Sequence, residues 1–281
     1  MSRLLIVSAD DLGLTDGVCR AVARGFAEGV VTSTSLLAVG RAFGSAVRVL
    51  RDAPGLDAGA HLAMVGEDPP LLTSREIPTL VNKQGRFPLS YRTVLARGFA
   101  RRIDPEDVRR EFTAQLQRIR AAGVHVSHVD THQHVHLWPA VGRVVTELAR
   151  QQGIAAVRTP ASHRVLPVGF GVNVLASRLR RRLSAAGLAT TDSYTGLDEA
   201  GAFDAARFQT SLTGLQGGSG TVEINVHPGE AGDPDLARFS WGYRWSDELA
   251  MLLAPRTRTL IDAAGFRLAG FADLTANPPT G

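Results

Sequence analysis

The sequence predicts a single-domain α/β fold, a (β/α) barrel-like arrangement of parallel strands that is either regular or distorted. Short apolar runs alternate with segments of helical periodicity along the 281-residue chain. Such alternation is typical of strands joined by helical crossovers, which makes the strands parallel. The length and the hydrophobic content of 44% suit one domain, residues 1–281, in the size range of α/β barrels.

The predicted strands are short apolar runs bounded by glycine, proline or charged residues. They cover residues 4–8, 30–39, 56–62, 128–136, 155–158, 221–226 and 266–268. Residues 64–92 and 159–170 contain proline and glycine and little periodicity, so we expect loops there.

The predicted helices alternate with these strands. They cover residues 17–28, 42–51, 104–123, 139–152, 172–186, 203–214, 246–253 and 256–264. Asp104-Pro105-Glu106 is the clearest start, because it combines an N-cap, a proline at the first helical position and an acid in the first turn. Ser246 is the expected N-cap of the helix over 246–253, and Gly123 is expected to end the helix that starts at Asp104.

Composition argues against several classes of protein. Cys19 is the one cysteine, so no disulfide framework is expected. The apolar run after Met1 is too short for a signal peptide and is stopped by two acids. No run approaches the ~20 apolar residues of a membrane-spanning helix. We therefore expect a cytoplasmic protein with no integral membrane segment.

The net charge of +4 comes from arginine, with Lys83 as the one lysine. In the basic run at 178–182, Leu175, Leu179 and Leu183 repeat every four residues. This pattern favours an amphipathic surface helix with a solvated basic face over an anionic lipid or phosphate site. No nucleic-acid partner is expected, since that would need basic charge on one face with aromatic or helical readers.

Five of the eight histidines fall within twelve residues, the most informative stretch of the chain. They are His125, His128, His132, His134 and His136, with Asp130 among them. As an extended strand, residues 128–136 would place four imidazoles and a carboxylate on one face. Such a face is costly to bury unless each polar group has a partner, and neutral imidazole is the commonest metal ligand. The stretch therefore predicts a divalent metal rather than a solvated edge strand.

Polar residues also stand at the C-terminal ends of other predicted strands. They are Asp10, Asp11, His61, Arg158 and His227. In a parallel barrel these ends converge on one mouth, together with the histidine cluster. One Asp and two His, namely Asp11, His61 and His132, would leave positions open for water and substrate, the arrangement of a catalytic metal site.

Asp10 and Asp11 are adjacent, so on a strand they point in opposite directions and one can bind the metal while the other acts as a base. The alternative is an Asp pair that ends the strand and caps the next turn. His227 is the candidate for a second proton-transfer group. Arg158 either orients Asp10 or a substrate oxygen or forms a structural salt bridge in the barrel.

Four aromatic residues lie within seven positions, in a chain with an aromatic content of 6%. They are Phe239, Trp241, Tyr243 and Trp245. They either form the floor of a sugar-binding groove or anchor the helix that follows, and the sequence leaves both interpretations open.

Together these motifs resemble the YdjC-like (ChbG-type) carbohydrate deacetylase family. The resembling stretches are residues 4–13, 29–35, 59–62, 128–136 and 226–228. They follow the family's order over most of the chain, with Leu12 where the family more usually has Phe. Residues 64–92 and 159–200 match less clearly.

The resemblance implies a barrel-like fold, a divalent metal, a homodimer and removal of an N-acetyl group from an amino sugar. By motif position, Asp10 resembles the family's catalytic base and His227 its acid. The residues that resemble metal ligands are Asp11, His61 and His132. Those expected to support the ligands or bind substrate are Asp130, His128, His134, His136 and Arg158.

The resemblance favours Mg²⁺, whereas ligand softness alone also allows Zn²⁺, Co, Ni, Mn or Fe. The implied substrate is an acetylated chito-oligosaccharide or a glycolipid-linked N-acetylglucosamine. Some relatives act in hopanoid lipid glycosylation, and the arginine-rich helix is compatible with a lipid-linked substrate.

Two other functions compete with this one. The first is another metal-dependent amidohydrolase or phosphoesterase with a barrel fold, because such enzymes also have His-x-His at a strand end. Their metal sites often contain a bridging lysine. The position of Lys83 in a loop argues against that arrangement. A non-catalytic metal-binding protein would need neither Asp10 nor His227.

Overall fold

The computed structural model describes residues 3–165, 167–215 and 220–276, in which eight strands alternate with helices. The strands are β1 (Arg3–Leu12), β2 (Ser33–Leu36), β3 (Asp57–Leu62), β4 (His128–Thr131), β5 (Ala156–Val157), β6 (Ser193–Thr195), β7 (Thr221–Val226) and β8 (Phe266–Leu268). The α-helices are α1 (Asp16–Ala27), α2 (Phe43–Asp52), α3 (Tyr91–Phe99), α4 (Pro105–Ala121), α5 (Pro139–Gln151), α6 (Pro167–Ala185), α7 (Ala205–Leu215), α8 (Trp245–Leu253), α9 (Pro255–Ala263) and α10 (Asp273–Ala276). Short 3-10 helices cover His132–Leu137 and Pro234–Arg238.

The strand pairings are parallel, in the order β5-β4-β3-β2-β1-β7-β6, with β8 beside the start of β1. A single bridge joins Ala156 of β5 to Ala189, which lies shortly before β6. The Val157 N–H donates to Ala189 O, and the Ala189 N–H donates to Ala155 O, both at 2.9 Å. The sheet is therefore curled into a distorted barrel with its seam between β5 and β6, which confirms the predicted fold class.

The two faces of β1 show how the core is divided, because successive residues of a strand face opposite sides. Leu5 and Val7 belong to the main hydrophobic core, whereas Ile6 belongs to a separate small cluster with Ala156 and Phe271. Full burial of a side chain of this size contributes about 1.5–3 kcal/mol. The barrel interior is apolar at the level of Ile6 and becomes polar toward the C-terminal ends of the strands.

The prediction of one long histidine strand over 128–136 is wrong. β4 ends at Thr131, and a 3-10 helix begins at His132. Gln133 and His134 have left-handed backbone, with φ of 52° and 53°, which turns the chain away from the sheet. The Gln133 side chain holds this turn by accepting from the backbone N–H of Tyr91 at 2.7 Å and donating to the carbonyl of Leu89 at 3.0 Å. The imidazoles therefore do not share one face.

Several other boundaries differ from the predictions. The second strand is shorter than predicted, and α3 and β6 were not predicted at all. α6 starts at Pro167, inside the predicted loop over 159–170. α8 starts at Trp245 without a side-chain N-cap, so the prediction that Ser246 caps this helix is wrong.

The predicted amphipathic character of α6 is confirmed. Leu179 and Leu183 are buried against the protein, whereas Arg178, Arg181 and Arg182 are exposed. Among the described residues, no helix combines the length and the apolar character that crossing a bilayer requires.

Candidate active site

The C-terminal end of β1 carries Asp10 and Asp11 on a bulge, and both side chains are buried. The register between β1 and β2 shifts between Ala9 and Leu12, and Asp11 has a left-handed φ of 64°. Such a backbone costs a non-glycine residue on the order of 1 kcal/mol. Bulges next to active sites re-aim side chains. Here the bulge turns two neighbouring carboxylates toward different partners.

Asp11 of β1, His61 of β3 and His132 after β4 converge at one point. Asp11 Oδ1 lies 3.0 Å from His132 Nδ1 and 3.5 Å from His61 Nε2. The two ring nitrogens are 3.3 Å apart. Metal–ligand bonds of about 2.0–2.2 Å at roughly tetrahedral or octahedral angles separate neighbouring ligand atoms by about 2.8–3.6 Å. One divalent ion therefore fits these three atoms, which we call the ligand triad.

The ionised state of the Asp11 carboxylate is also suited to binding a cation. Burial by itself would raise the pKa of Asp11, but His132 and His61 hold it well below its usual range. Asp11 Oδ1 is buried and makes no aligned hydrogen bond within the described part of the chain. A buried carboxylate oxygen of this kind requires a partner, and a metal ion would supply one.

The ring of His61 is fixed through its other nitrogen. Nδ1 lies 2.9 Å from Asp130 Oδ1 and 3.0 Å from Ser35 Oγ. A carboxylate behind a metal-binding imidazole sets the ring orientation and increases its basicity. Burial would lower the pKa of His61, but Asp130, Asp10 and Asp11 raise it to about 10. The same carboxylates create a negative potential that favours a cation at the triad.

Arg158, which follows β5 and is fully buried, joins the acidic residues of the barrel interior. It donates to both oxygens of Asp10, at 2.7 Å from Nη1 to Oδ2 and 2.8 Å from Nη2 to Oδ1. It also donates to Asp130, to Glu223 at 2.6 Å and to Ser8 at 2.9 Å. Burial would raise the pKa of Asp10 and of Asp130, but the guanidinium lowers both. Both carboxylates are therefore ionised.

His227 follows β7, the other neighbour of β1. Val226 pairs with Ala9, so His227 and Asp10 are the next residues along two adjacent strands. The His227 backbone N–H donates to Glu248 Oε2 at 2.5 Å. Its Nδ1 is buried and has no hydrogen-bond partner among the residues that the structure describes. An imidazole therefore lies on the β7 side of the site with one ring nitrogen available.

The aromatic segment 239–245 is divided between the core and the site. Its first and last aromatic residues are buried in the core. Trp241 lies against His132, with ring centroids 5.3 Å apart, and Tyr243 lies against His227, with centroids 5.0 Å apart. Phe239 and Trp245 therefore anchor the segment in the core, as one interpretation expects, whereas Trp241 and Tyr243 border the candidate site.

The loop after β3 borders the triad on the same side. A Cβ atom on Gly66 would lie 3.4 Å from the ring of His132, so this backbone passes close to that imidazole. The next residue, Glu67, accepts a hydrogen bond from Trp241 Nε1 at 3.0 Å. The loop and the aromatic segment therefore meet beside His132.

Two predicted supporting residues occupy other places in the barrel. His136 Nδ1 lies 2.6 Å from Thr131 Oγ1, and its Nε2 lies 3.0 Å from the carbonyl of Arg158. His136 thus supports the backbone of Arg158 rather than the triad. His134 Nε2 lies 3.4 Å from the Tyr194 hydroxyl.

His128 lies at the start of β4, where it stacks on Phe271 with ring centroids 3.8 Å apart. Its Nδ1 lies 2.9 Å from Ser127 Oγ and 3.8 Å from Asp57 Oδ2. These contacts place His128 at the apolar end of the barrel interior, away from the ligand triad.

Glu223 and Ser35 belong to the site and are not identified by the sequence analysis. Burial raises the pKa of Glu223 to about 7 even though Arg158 donates to it. A signal was present in the sequence, because Glu223 interrupts an apolar strand and lies on the same face as His227, four residues later. Ser35 carries no comparable signal among the serines and threonines of β2.

Comparisons with known proteins show the family to which the chain belongs. The sequence profile of the family described as "YdjC-like protein" matches residues 4–263. A carbohydrate deacetylase of Brevibacillus brevis is 30% identical over 275 residues, which cover 96% of this chain and 99% of that protein. Carbohydrate deacetylase 1 of Listeria innocua is 40% identical over 154 residues, 55% of this chain, and the chain spans 60% of the length of that relative.

A solved structure from Enterococcus faecalis shares the fold over almost its entire length. It is described as a candidate cellobiose-phosphate cleavage protein. The two structures superpose with a TM-score of 0.83 at 25% sequence identity, covering 98% of this chain and 99% of the other.

Proposed function

The chain belongs to the YdjC-like family, and from that premise we propose that it is a metal-dependent carbohydrate deacetylase that removes an N-acetyl group from an amino sugar. The observation that carries this proposal is the convergence of Asp11, His61 and His132 beside the ionised carboxylate of Asp10. The names of the relatives from Brevibacillus brevis and Listeria innocua support the substrate class.

In this proposal Asp11, His61 and His132 hold one divalent cation, with Mg²⁺ favoured by the family and Zn²⁺ or another transition metal compatible with the donors. When bound, such an ion supplies Lewis acidity toward a water molecule and the amide carbonyl. Asp130 keeps the His61 ring in position through its Nδ1.

Asp10 is proposed to accept the proton of the attacking water. Arg158 and Ser35 fix its position, since Oδ1 accepts from both and Oδ2 accepts from Arg158. Each carboxylate oxygen offers two lone-pair sites, so Oδ2 can still accept a proton. A base that is already oriented avoids reorganisation during the reaction.

His227 is proposed to donate a proton to the departing amine, which is a very poor leaving group as an anion. Its location on β7, next to Asp10 of β1, puts acid and base on adjacent strands. Trp241 and Tyr243 offer half-buried aromatic faces beside His132 and His227, and sugar rings stack on such faces.

The substrate is proposed to be an acetylated chito-oligosaccharide or a glycolipid-linked N-acetylglucosamine. The homodimer and the cytoplasmic location implied above stay predictions. Lys83 is exposed in the loop after β3, so it cannot bridge two metals at the triad.

Acetate release from N-acetylated chito-oligosaccharides tests this function, measured after chelation and again after each divalent metal is added back. The proposal expects no acetate after chelation and recovery with at least one metal. Release of phosphate from phosphate esters without any acetate release would instead favour a phosphoesterase. Bound metal without turnover of either substrate class would favour a non-catalytic metal-binding protein.

A further inference from the structure

Within residues 3–165, 167–215 and 220–276, the exposed large hydrophobic side chains fall in two segments of the chain. Among the described residues they are Leu89, Tyr91, Phe99, Val165, Val168 and Phe170. Four of them are strongly exposed, with Val165 at 98%, Phe99 at 77%, Val168 at 73% and Phe170 at 69% of their full accessible area. Contiguous exposed apolar surface on a water-soluble fold marks an interaction site.

The two segments lie on the same side of the barrel mouth. One follows β3 and the other follows β5, and β3, β4 and β5 are neighbours in the sheet. Both α3 and α6 contact the 3-10 helix that follows β4. Phe99 packs on Trp138 at the end of that helix, with ring centroids 4.8 Å apart. We call this surface, residues 89–99, 165 and 167–170, the apolar rim.

The two chain segments that carry the apolar rim are basic in sequence, although Arg164 pairs with Asp198 at 3.5 Å. Residues 77–103 contain one lysine and five arginines, and residues 159–191 contain five arginines. Neither segment contains Asp or Glu, so together they carry eleven of the 31 basic residues and none of the 27 acidic ones. Because the net charge of the chain is +4, the rest of the molecule is acidic overall.

The charged and apolar residues of α6 are also aligned. Phe170 and Arg181 are eleven residues apart, about three helical turns, so they project from the same side of the helix. Arg181 is exposed, as are its neighbours Arg178 and Arg182. An apolar side chain at one end of a helix and an exposed arginine farther along the same face are typical of helices that dock at the interface of an anionic bilayer.

We propose that the apolar rim and its flanking arginines form a docking surface for the face of an anionic lipid bilayer, which brings the mouth of the barrel to the membrane. A second copy of the chain suits this surface less well, since two copies of a face with net positive charge would repel each other. The proposal goes beyond the proposed reaction and does not depend on it.

Vesicle flotation with the full-length protein tests this inference. Phosphatidylcholine vesicles are compared with vesicles that also contain phosphatidylglycerol, at low and at high salt. We expect binding to the anionic vesicles only, weakened by salt because the arginine contribution is screened. Phe99→Ser/Phe170→Ser and Arg181→Glu/Arg182→Glu should each weaken binding by about tenfold or more.

The matched control is Arg51→Glu/Arg256→Glu, which makes the same charge change on the exposed surfaces of α2 and α9. It should retain most of the binding, and all variants should keep wild-type turnover of a soluble acetylated chito-oligosaccharide if the protein is a deacetylase. The proposal would be overturned if the wild-type protein bound neither kind of vesicle. It would also be overturned if the control variant lost as much vesicle binding as the other two variants. A dimer that dissociates in Phe99→Ser/Phe170→Ser would assign the rim to a second copy and would also overturn it. Vesicle binding without turnover of any acetylated sugar would count against the proposed reaction alone.

Discussion

Arg158 holds both oxygens of Asp10, through hydrogen bonds of 2.7 and 2.8 Å, inside a barrel interior where both residues are buried. The same guanidinium donates to Asp130, which contacts the far side of the His61 ring. One buried cation therefore positions both the proposed base and the support of a proposed metal ligand. This explains how two adjacent acids, Asp10 and Asp11, can have different roles.

Arg158→Met is expected to destabilise the fold, because it leaves three buried carboxylates without their cation. Removing one partner of a buried ion pair costs about 3–5 kcal/mol. Urea unfolding of wild type and variant measures this difference. Arg150→Met, an exposed arginine at the end of α5, is the control and should change the free energy of unfolding little. Wild-type stability in Arg158→Met would show that the interior network contributes nothing.

Asp10→Asn should separate the base from the metal ligands. Metal content is expected to stay near that of wild type, while turnover of an N-acetyl sugar falls by roughly 10²–10⁴, the usual span for a general base. Asp11→Asn is the comparison and should lose metal as well as activity. Equal loss of metal in the two variants would make Asp10 a ligand too.

His227→Ala should lose much more activity on an N-acetyl sugar than on a trifluoroacetamide or activated ester of the same sugar. An acid matters less when the leaving group is already good. The ratio of kcat/KM values for the two substrates in wild type and variant measures the effect. Similar losses on both substrates would leave the proton donor unidentified and make His227 a binding or structural residue.

Cys19 is expected to be unreactive in the folded protein. Its side chain is 1% exposed, and burial raises the pKa of its thiol to about 11. Since only the thiolate reacts, about a ten-thousandth of the thiol is reactive at pH 7. An aromatic disulfide reagent should label nothing in the native protein and one thiol in urea. Rapid labelling without denaturant would mean that the packing between α1 and the α2 side of the barrel opens readily.

The fold class and the approximate positions of most strands could be predicted because they depend on local patterns. Apolar runs, glycine stops and the cap at Asp104 identify elements, and parallel connectivity alone brings Asp11, His61 and His132 to one mouth. The N-cap at Asp104 is present as predicted, with its side chain accepting from the Glu106 N–H.

The surroundings of the site could not be predicted in the same way. The end of β4 at Thr131 depends on left-handed backbone at Gln133 and His134, and glutamine and histidine are not residue types that predict a turn. The Gln133 contacts that support it come from a segment about 40 residues earlier in the chain. Likewise, the contact of Arg158 with Glu223 joins residues 65 positions apart, and no local sequence pattern predicts it.

Metal content measured on purified wild type, His132→Ala and His134→Ala tests the central claim most directly. The two histidines are neighbours in one motif, but only His132 points a ring nitrogen at Asp11, at 3.0 Å, whereas His134 faces Tyr194. After chelation and reloading, wild type and His134→Ala should bind one divalent ion per chain, and His132→Ala should lose both the ion and acetate release. Full occupancy and turnover in His132→Ala would contradict the ligand triad.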